Sequence, residues 1–283
     1  MARIELVFVA YVCKPILYLL RLFAMEKIAA DHPTEISISV VSHAQIHLIE
    51  SLLHDIDEHC KNLSLELIIT LNLEEILPFS EADFSFPIRI ICNPKPLGFA
   101  ANHNQAFSYA LGQFFCVMNP DIRLNDDSFP PLLSCLQDSS VGIVAPVVLD
   151  EDGKIEDSAR YFPTPFKILR KAFGRCKGSD YPIKDRTFFP DWVGGMFMVF
   201  RSETFKKLGG FDPRYFLYYE DVDLCARLRL HDYEVVVCPQ SKVIHQAQRS
   251  SHRNFRYMCW HLKSMMRFFL SPAYLRLQWR KWI

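Results

Sequence analysis

The sequence predicts an α/β protein with a mostly parallel central sheet and helices on both of its faces. Short β-branched apolar runs alternate with stretches of helical spacing over residues 35–149, which is the order of a parallel sheet with helical crossovers. Half of the 283 residues are hydrophobic and 13% are aromatic, so the chain can bury a large core.

The first half of the chain supplies most of this sheet. Each predicted strand is an apolar run bounded by polar or turn residues, and each predicted helix has apolar residues three and four apart. Strands are expected at 35–44, 65–71, 87–92, 113–121 and 142–149, and helices at 45–61, 98–111 and 128–137. Ligands bind at the carboxyl ends of the strands in such sheets, so polar residues there are candidates for a site.

The second half differs in composition, because residues 150–190 are rich in charged, proline and aromatic residues. The expected elements are a helix at 202–209, a glycine-containing turn at 209–216, a helix that starts in the acidic stretch 220–223, and two short strands at 233–239 and 241–245. No internal repeat interrupts the chain, so we expect one continuous domain whose site is completed by the C-terminal part.

We divide the chain into an apolar N-terminal extension at 1–33, a central domain at 34–250 and basic, aromatic helices at 251–283. Charged residues and a proline interrupt the apolar N-terminal run, which makes it poor for a membrane-spanning helix. It also lacks a convincing signal-peptide cleavage site. An interfacial helix and a natural start at Met25 both remain open.

The C-terminal part has an uneven charge. From Val235 to Ile283 there are nine Lys or Arg residues and no Asp or Glu, and eight aromatic residues are interleaved with them. This pattern indicates either a peripheral contact with an anionic membrane surface or a basic helix packed on the domain.

Net charge and cysteine usage also narrow the class of protein. The formal net charge is zero, which argues against a nucleic-acid partner. The nine cysteines are scattered without a CxxC pair, which favours reduced thiols in the cytoplasm over disulfides or a zinc site. GxGxxG, P-loop and GxSxG patterns are absent, so dinucleotide, P-loop and nucleophile-elbow chemistry have no support.

Polar residues that can do chemistry lie at the ends of three predicted elements. Asp121 follows an apolar strand, and a carboxylate there can hold a hard cation that shares substrate phosphates. His245 ends the last predicted strand, and the carboxylates of 220–223 begin a helix. All three would lie on one edge of the sheet.

Three segments of the chain resemble the family-2 inverting glycosyltransferases, in their rhamnosyltransferase-like branch. They are NPKPLGFAANHNQAF at 93–107, MNPDIRL at 118–124 and the long run from WVGGMFMVFR to SKVIH at 192–245. The resemblance spans residues 36–270 and implies the GT-A nucleotide-diphospho-sugar transferase fold, followed by a C-terminal helical tail.

The resemblance also implies roles for the polar residues. Asp121 and His245 would bind a divalent metal, Mg²⁺ or Mn²⁺, on the diphosphate of a nucleotide-sugar donor. Asn119 stands where the family has the first acid of its metal motif. Asp221 would be the general base, with Glu220 beside it.

The donor site is expected along the ends of the first strands. Val41 and Ser42 end the first strand, where the nucleotide base and ribose would lie, and Gly98 and Asn102 fall in the segment that flanks the donor. One departure concerns the second strand, where the family usually has an Asp that reads the base. The equivalent run here is Thr70-Leu71-Asn72-Leu73, so the choice between dTDP and UDP donors stays open.

The acceptor side is expected near Trp192, Gly194 and Gly195. An aromatic ring can pack on sugar C–H groups and glycines permit close approach, although a buried Trp beside a tight turn explains the same residues. Asp223 is expected to cap the helix or to pair with Arg227 four residues later.

Together these implications describe a metal-dependent glycosyltransferase, peripheral on the cytoplasmic face of the cell membrane. It would transfer a sugar, with rhamnose from dTDP-rhamnose as the first choice, to a glycan or lipid-linked glycan acceptor in O-antigen or capsule-type biosynthesis. The alternatives are a UDP-hexose donor and a catalytically inactive sugar-nucleotide-binding assembly partner.

Overall fold

Eight strands form one mixed sheet at the centre of the protein. A computed structural model describes residues 33–172, 179–182, 185–246 and 255–280. The predicted extension at 1–33 therefore lies almost wholly outside the described residues. The strands are β1 (Ile36–Ser42), β2 (Leu65–Leu71), β3 (Ile88–Cys92), β4 (Phe114–Met118), β5 (Ile122–Arg123), β6 (Val141–Leu149), β7 (Ala159–Arg160), β8 (Trp192–Val193), β9 (Phe197–Arg201) and β10 (Glu234–His245).

The order across the large sheet is β3-β2-β1-β4-β9-β6-β10-β5, and β7 and β8 form a separate two-stranded ladder. Neighbours β3, β2, β1 and β4 are parallel, as are β6 and β10. Strand β9 inserts antiparallel between β4 and β6, and β5 pairs antiparallel with the end of β10. The chain therefore has the predicted mostly parallel core, with two antiparallel additions that assemble the site.

Helices cover both faces of this sheet. They are α1 (Ile46–His59), α2 (Phe99–Phe107), α3 (Phe129–Cys135), α4 (Pro165–Ala172), α5 (Ser202–Lys207), α6 (Glu220–Leu230), α7 (Phe255–Phe269) and α8 (Pro272–Arg280). Strand β4 shows how the two faces separate: Cys116 and Met118 join the core under α1 and α3, whereas Phe115 and Val117 join the core under α5 and α6. Successive side chains of a strand point to opposite faces, so a strand buried on both is apolar throughout.

Strand β10 differs from its prediction. The sequence predicts two short strands at 233–239 and 241–245, whereas the structure has one strand with an irregular middle. Cys238 pairs with Pro146 while Lys242 pairs with the next residue of β6, so extra residues bulge out of the ladder. Pro239 lies in this bulge, where its missing N–H breaks no ladder hydrogen bond.

The C-terminal helices pack on the domain through one side only. Helix α8 buries Ala273, Tyr274 and Leu277, and α7 buries Ser264 and Phe268. Within the described part of the chain, no helix is both long and apolar enough to span a bilayer.

Candidate active site

The turn after β4 and the end of β10 meet through strand pairing. Asp121 lies in the turn between β4 and β5, and His245 lies opposite Ile122 in the β5–β10 ladder. The Gln246 N–H donates to the Asp121 carbonyl at 2.8 Å. This pairing places the His245 Nε2 atom 3.3 Å from Asp121 Oδ1, so the two residues predicted as metal ligands are in contact.

Glu156 completes this cluster and was missed from the sequence. Its carboxylate Oε2 lies 2.9 Å from His245 Nδ1. Burial lowers the pKa of His245, but contacts with Asp121 and Glu156 outweigh burial and leave the pKa raised. The only sequence signal for Glu156 was the charged composition of its segment, which has no periodicity that could single out one acid.

The Asp121–His245 pair fits a divalent cation. Asp121 Oδ1 is buried and accepts no hydrogen bond from the described residues, although it lies 3.3 Å from His245 Nε2. When Nδ1–H donates to Glu156, the lone pair of Nε2 faces that oxygen, which is the usual arrangement of a metal-ligating histidine. No three His, Cys, Asp or Glu side chains of the described residues form a metal cluster, so a cation at this pair would need water or phosphate oxygens as its other ligands.

Asp221 sits at the start of α6, directly after a strained turn. Tyr218 and Tyr219 both have left-handed backbone conformations, with φ of 68° and 67°. Such conformations cost of order 1–3 kcal/mol each and concentrate at functional sites. They deliver the Asp221 carboxylate to two backbone donors: Val222 N–H at 2.8 Å and Gly195 N–H at 3.1 Å.

The two neighbouring acids differ in environment. Glu220 is 5% exposed, and its Oε2 has no hydrogen-bond partner among the described residues. Burial first, and then the charge of Asp221, raise the pKa of Glu220 well above its ordinary value. Burial also raises the pKa of Asp221, while the N–H donors of Val222 and Gly195 oppose that shift. Protonation is therefore favoured more strongly at Glu220 than at Asp221, whose carboxylate has the two N–H donors.

The Asp223 carboxylate is paired with an arginine on the same helix. Arg227 donates to it at 2.8 Å, and the same guanidinium donates to the carbonyls of Leu208 and Gly210. Of the two predicted roles, the structure shows the ion pair with Arg227 and no side-chain cap at the helix start.

Gly195 and Met196 connect the two halves of the site. Gly195 donates to Asp221, and the carbonyl of Met196 accepts from the Asn119 N–H at 2.8 Å. Consecutive residues therefore join the Asp221 carboxylate to the turn that carries Asp121. A side chain at Gly195 would meet the Phe99 ring at 3.2 Å, which explains the absence of one.

Gly98 allows a close backbone approach. A Cβ atom there would lie 2.3 Å from the carbonyl oxygen of Phe216, which accepts a hydrogen bond from the Phe99 N–H at 2.9 Å. Asn102, in α2, is 1% exposed and accepts from Asn93 at 2.7 Å. The Asn102 side chain is hydrogen-bonded within the protein. Any contact of this segment with a nucleotide-sugar donor would therefore involve the loop before α2, to which Asn102 is bonded.

Asn72, the departure from the family pattern, is also bonded within the protein. Its Oδ1 accepts from the Leu97 N–H at 2.7 Å and from Asn93 at 3.0 Å. Ser42 is buried, with its Oγ accepting from Gln45, and Val41 is partly buried. These contacts tie the ends of β1 and β2 to the loop before α2.

Trp192 lies opposite Arg160 in the β7–β8 ladder. Its Nε1–H donates to the Tyr161 carbonyl at 3.0 Å, and the ring is only partly buried. Gly194 donates its N–H to the Ser158 carbonyl at 2.8 Å. The predicted acceptor residues thus lie in β8 or directly after it, and Gly195 contacts Asp221.

Comparison with known proteins decides the family. Residues 36–259 match a protein family described as "Glycosyltransferase like family 2". The chain belongs to glycosyltransferase family 2. The predicted family and enzyme class are therefore confirmed, and the chain is a glycosyltransferase.

This glycosyltransferase is similar to proteins named rhamnosyltransferases. It is 27% identical over 248 residues to rhamnosyltransferase WbbL of Escherichia coli (strain K12), covering 82% of this chain and 91% of that protein. It is 30% identical over 151 residues to the N-acetylglucosaminyl-diphospho-decaprenol L-rhamnosyltransferase of Mycobacterium tuberculosis, covering 49% of this chain and 48% of that protein.

Solved glycosyltransferase structures share the fold. One is GalNAc-T7 with UDP, GalNAc and Mn²⁺, with a TM-score of 0.62 and 16% identity over 83% of this chain and 47% of that chain. Another is mannosyltransferase PcManGT from Pyrobaculum calidifontis with GDP-Man and Mn²⁺, with a TM-score of 0.57 and 17% identity over 92% of this chain and 73% of that chain. These matches confirm the predicted GT-A fold.

Proposed function

We propose that this glycosyltransferase transfers rhamnose from dTDP-rhamnose, with inversion and with a divalent metal, to a lipid-linked or polysaccharide acceptor in cell-surface glycan assembly. The names of the two rhamnosyltransferases above support the sugar, and the diphospho-decaprenol in one of them supports a lipid-linked acceptor. A UDP-hexose donor is the alternative, because the run Thr70-Leu71-Asn72-Leu73 contains no Asp to read the base.

The observation that carries this proposal is the Asp221 carboxylate. It is held by two backbone N–H groups beside the buried Glu220, and it is linked through Gly195 and Met196 to the turn of Asp121. A hydroxyl group is a poor nucleophile until a base takes its proton as the new bond forms. Asp221 accepts that proton, and its raised pKa makes it a stronger base than an exposed Asp.

Asp121 and His245 are proposed to hold Mg²⁺ or Mn²⁺, with Glu156 fixing the imidazole orientation. A cation bound there offsets the negative charge that develops on the leaving diphosphate. The Mn²⁺ in two related folds supports this assignment. The described site residues offer Asp221 as base and no separate nucleophile, and a single displacement of this kind inverts the anomeric centre.

We also propose a peripheral position on the cytoplasmic face of the membrane, with α7 as the contact. The outward side of α7 and the residue after it carry apolar side chains three and four positions apart. They are Phe255 (74% exposed), Met258 (53%), Leu262 (48%), Met266 (54%) and Leu270 (73%). Arg256 and Lys263 flank this stripe, and the sequence from 255 to 280 contains no acid. Apolar and basic residues on one helix suit an anionic bilayer surface.

A donor panel tests the activity. dTDP-rhamnose and UDP-hexoses are incubated with the protein, Mn²⁺ or Mg²⁺ and a diphospholipid-linked N-acetylglucosamine, and release of the nucleoside diphosphate is measured. We expect turnover with dTDP-rhamnose and a loss of about 10²-fold or more in Asp221→Asn. Turnover with a UDP-hexose alone selects the alternative donor, and no turnover with any donor selects the inactive assembly partner.

A further inference from the structure

Arg160 is a cation held in place beside Asp221. Its Nε donates to the Asp157 carbonyl at 2.8 Å and lies 3.1 Å from the Asp157 carboxylate. Its guanidinium carbon lies 5.7 Å from the centre of the Trp192 ring. Three contacts therefore fix the guanidinium, which reduces the entropy lost when a ligand binds it.

The outer edge of this guanidinium makes no hydrogen bond to the described residues. The hydrogen bond of Arg160 with these residues is donated by Nε and not by the Nη1 or Nη2 groups. The side chain is 37% exposed. An arginine has five N–H donors, so about four are not used in hydrogen bonds to the described part of the chain.

The Arg160 side chain runs back along its own strand, because its Nε reaches the Asp157 carbonyl three residues earlier. Since β7 and β8 are antiparallel, Asp157 comes next to Ser158, whose carbonyl accepts from the Gly194 N–H. The residue after Gly194, Gly195, bonds the Asp221 carboxylate. Burial raises the pKa of Asp221, backbone N–H groups oppose that shift, and the charge of Arg160 adds a smaller opposing effect.

We propose that Arg160 binds a phosphate group of a substrate at the Asp221 end of the site. The parallel N–H groups of a guanidinium match two phosphate oxygens, which makes arginine a bidentate phosphate ligand. The inference rests on the proposed function in one respect, namely that the substrates carry phosphate. A nucleotide-sugar donor and a diphospholipid-linked acceptor present the same group.

The position of Arg160 favours the acceptor as the source of that phosphate. The segment from Glu156 to Arg160 reaches from the imidazole of His245 to the neighbourhood of Asp221. His245 and Asp121 lie at one end, where a cation would meet the donor diphosphate. Arg160 lies at the other end, in the ladder that leads to Gly195 and so to the carboxylate proposed to receive the acceptor proton.

Two variants and a matched control test this proposal. Arg160→Gln removes the charge. Arg160→Lys keeps the charge but lacks the two parallel N–H groups of a guanidinium. Arg89→Gln is the control, because Arg89 also stacks on an aromatic ring, 5.2 Å from the centre of Tyr109, but lies on β3 at the sheet edge. Thermal melting of each variant establishes that it is folded.

The first measurement is calorimetric binding of dTDP, UDP and inorganic pyrophosphate with Mn²⁺ present. The second is the KM and kcat of transfer to a diphospholipid-linked acceptor at saturating donor. We expect Arg160→Gln to raise the acceptor KM about tenfold or more, with nucleotide affinity unchanged and with Arg160→Lys intermediate. A tenfold loss of nucleotide or pyrophosphate affinity instead assigns the phosphate to the donor.

Unchanged binding and an unchanged KM in Arg160→Gln would overturn the proposal, as would a wild-type protein that binds none of the three probes and has no measurable acceptor KM. Arg160→Lys with wild-type constants in every assay would rule out the fork contact, and it serves as the test should Arg160→Gln fail to fold. If the wild-type protein binds nucleotide but transfers no sugar, the proposed function fails, and calorimetric binding of the diphospholipid-linked acceptor to the wild type and to Arg160→Gln then decides the role of Arg160.

Discussion

The backbone N–H of Gly195 donates to the Asp221 carboxylate at 3.1 Å. This bond crosses from the ladder of β7 and β8 to the first turn of α6, and the Val222 N–H holds the other carboxylate oxygen at 2.8 Å. The carboxylate is fixed before any substrate arrives, because the left-handed Tyr218 and Tyr219 set the direction in which α6 begins.

Glu220→Gln should stabilise the protein at neutral and higher pH. The pKa of Glu220 is raised from its ordinary value of 4.5, so the folded state keeps a proton that the unfolded chain releases. The contribution of Glu220 to the free energy of unfolding is therefore complete below about pH 4.5, the ordinary pKa. It is lost as the pH rises from there through the raised pKa, by up to about 1.4 kcal/mol per pH unit. Melting curves of both proteins between pH 4 and pH 9, about the range over which carboxyl groups and His titrate, measure the difference.

The two melting temperatures should be similar at the acidic end and should diverge as pH rises. Glu58→Gln, on the exposed side of α1, is the control and should follow the wild-type curve. Parallel curves for wild type and Glu220→Gln would contradict the buried, protonated state of Glu220.

Glu156→Gln should weaken metal binding without unfolding the domain. An acid that receives the Nδ1–H of a ligating histidine typically contributes 10- to 100-fold, roughly, to metal affinity. Titration of Mn²⁺ into the protein with dTDP, followed by electron paramagnetic resonance, gives the affinity. Glu151→Gln, in the same acidic segment but exposed, should bind Mn²⁺ like the wild type. Equal affinity in the Glu156 and Glu151 variants would remove Glu156 from the site.

Gly98→Ala should impair folding or activity more than Gly194→Ala. At Gly98 the new methyl would lie 2.3 Å from a backbone oxygen of Phe216, and the chain must shift to admit it. At Gly194 the nearest atom is the end of the flexible Met196 side chain, at 3.0 Å. We expect a loss of about 1–3 kcal/mol in the free energy of unfolding for Gly98→Ala and less for Gly194→Ala. Denaturant melts measure both, and the reverse order would contradict the close approach.

Leu262→Asp together with Met266→Asp should reduce binding to anionic vesicles. Both side chains lie on the exposed stripe of α7, where an aspartate costs the folded protein little but opposes both the apolar and the charge attraction. Sedimentation with phosphatidylglycerol-containing vesicles gives the bound fraction, with phosphatidylcholine vesicles as the neutral comparison. Ile76→Asp changes a residue that is 91% exposed elsewhere and should bind like the wild type. If the α7 variant binds anionic vesicles as well as the wild type does, α7 is not the membrane contact.

Periodicity predicted the parallel core well, because β1, β2, β4 and β6 are runs that are buried on both faces of the sheet. Strand β2 was predicted at its observed bounds, 65–71. The contacts of Asp121 with His245 could be anticipated from strand ends and family resemblance, but their partner Glu156 could not. Glu156 and Arg160 lie in a segment that is ordered by tertiary contacts and by a two-residue strand, which leave no repeating pattern in the sequence.

The double role of the Gly195–Met196 pair has a consequence for how this scaffold can diversify. One peptide unit, about 3.8 Å between Cα atoms, joins the residue that bonds Asp221 to the residue that bonds the turn of Asp121. Substitutions in the surrounding loops can therefore alter the shape of the cleft while these two carboxylates keep their relative positions.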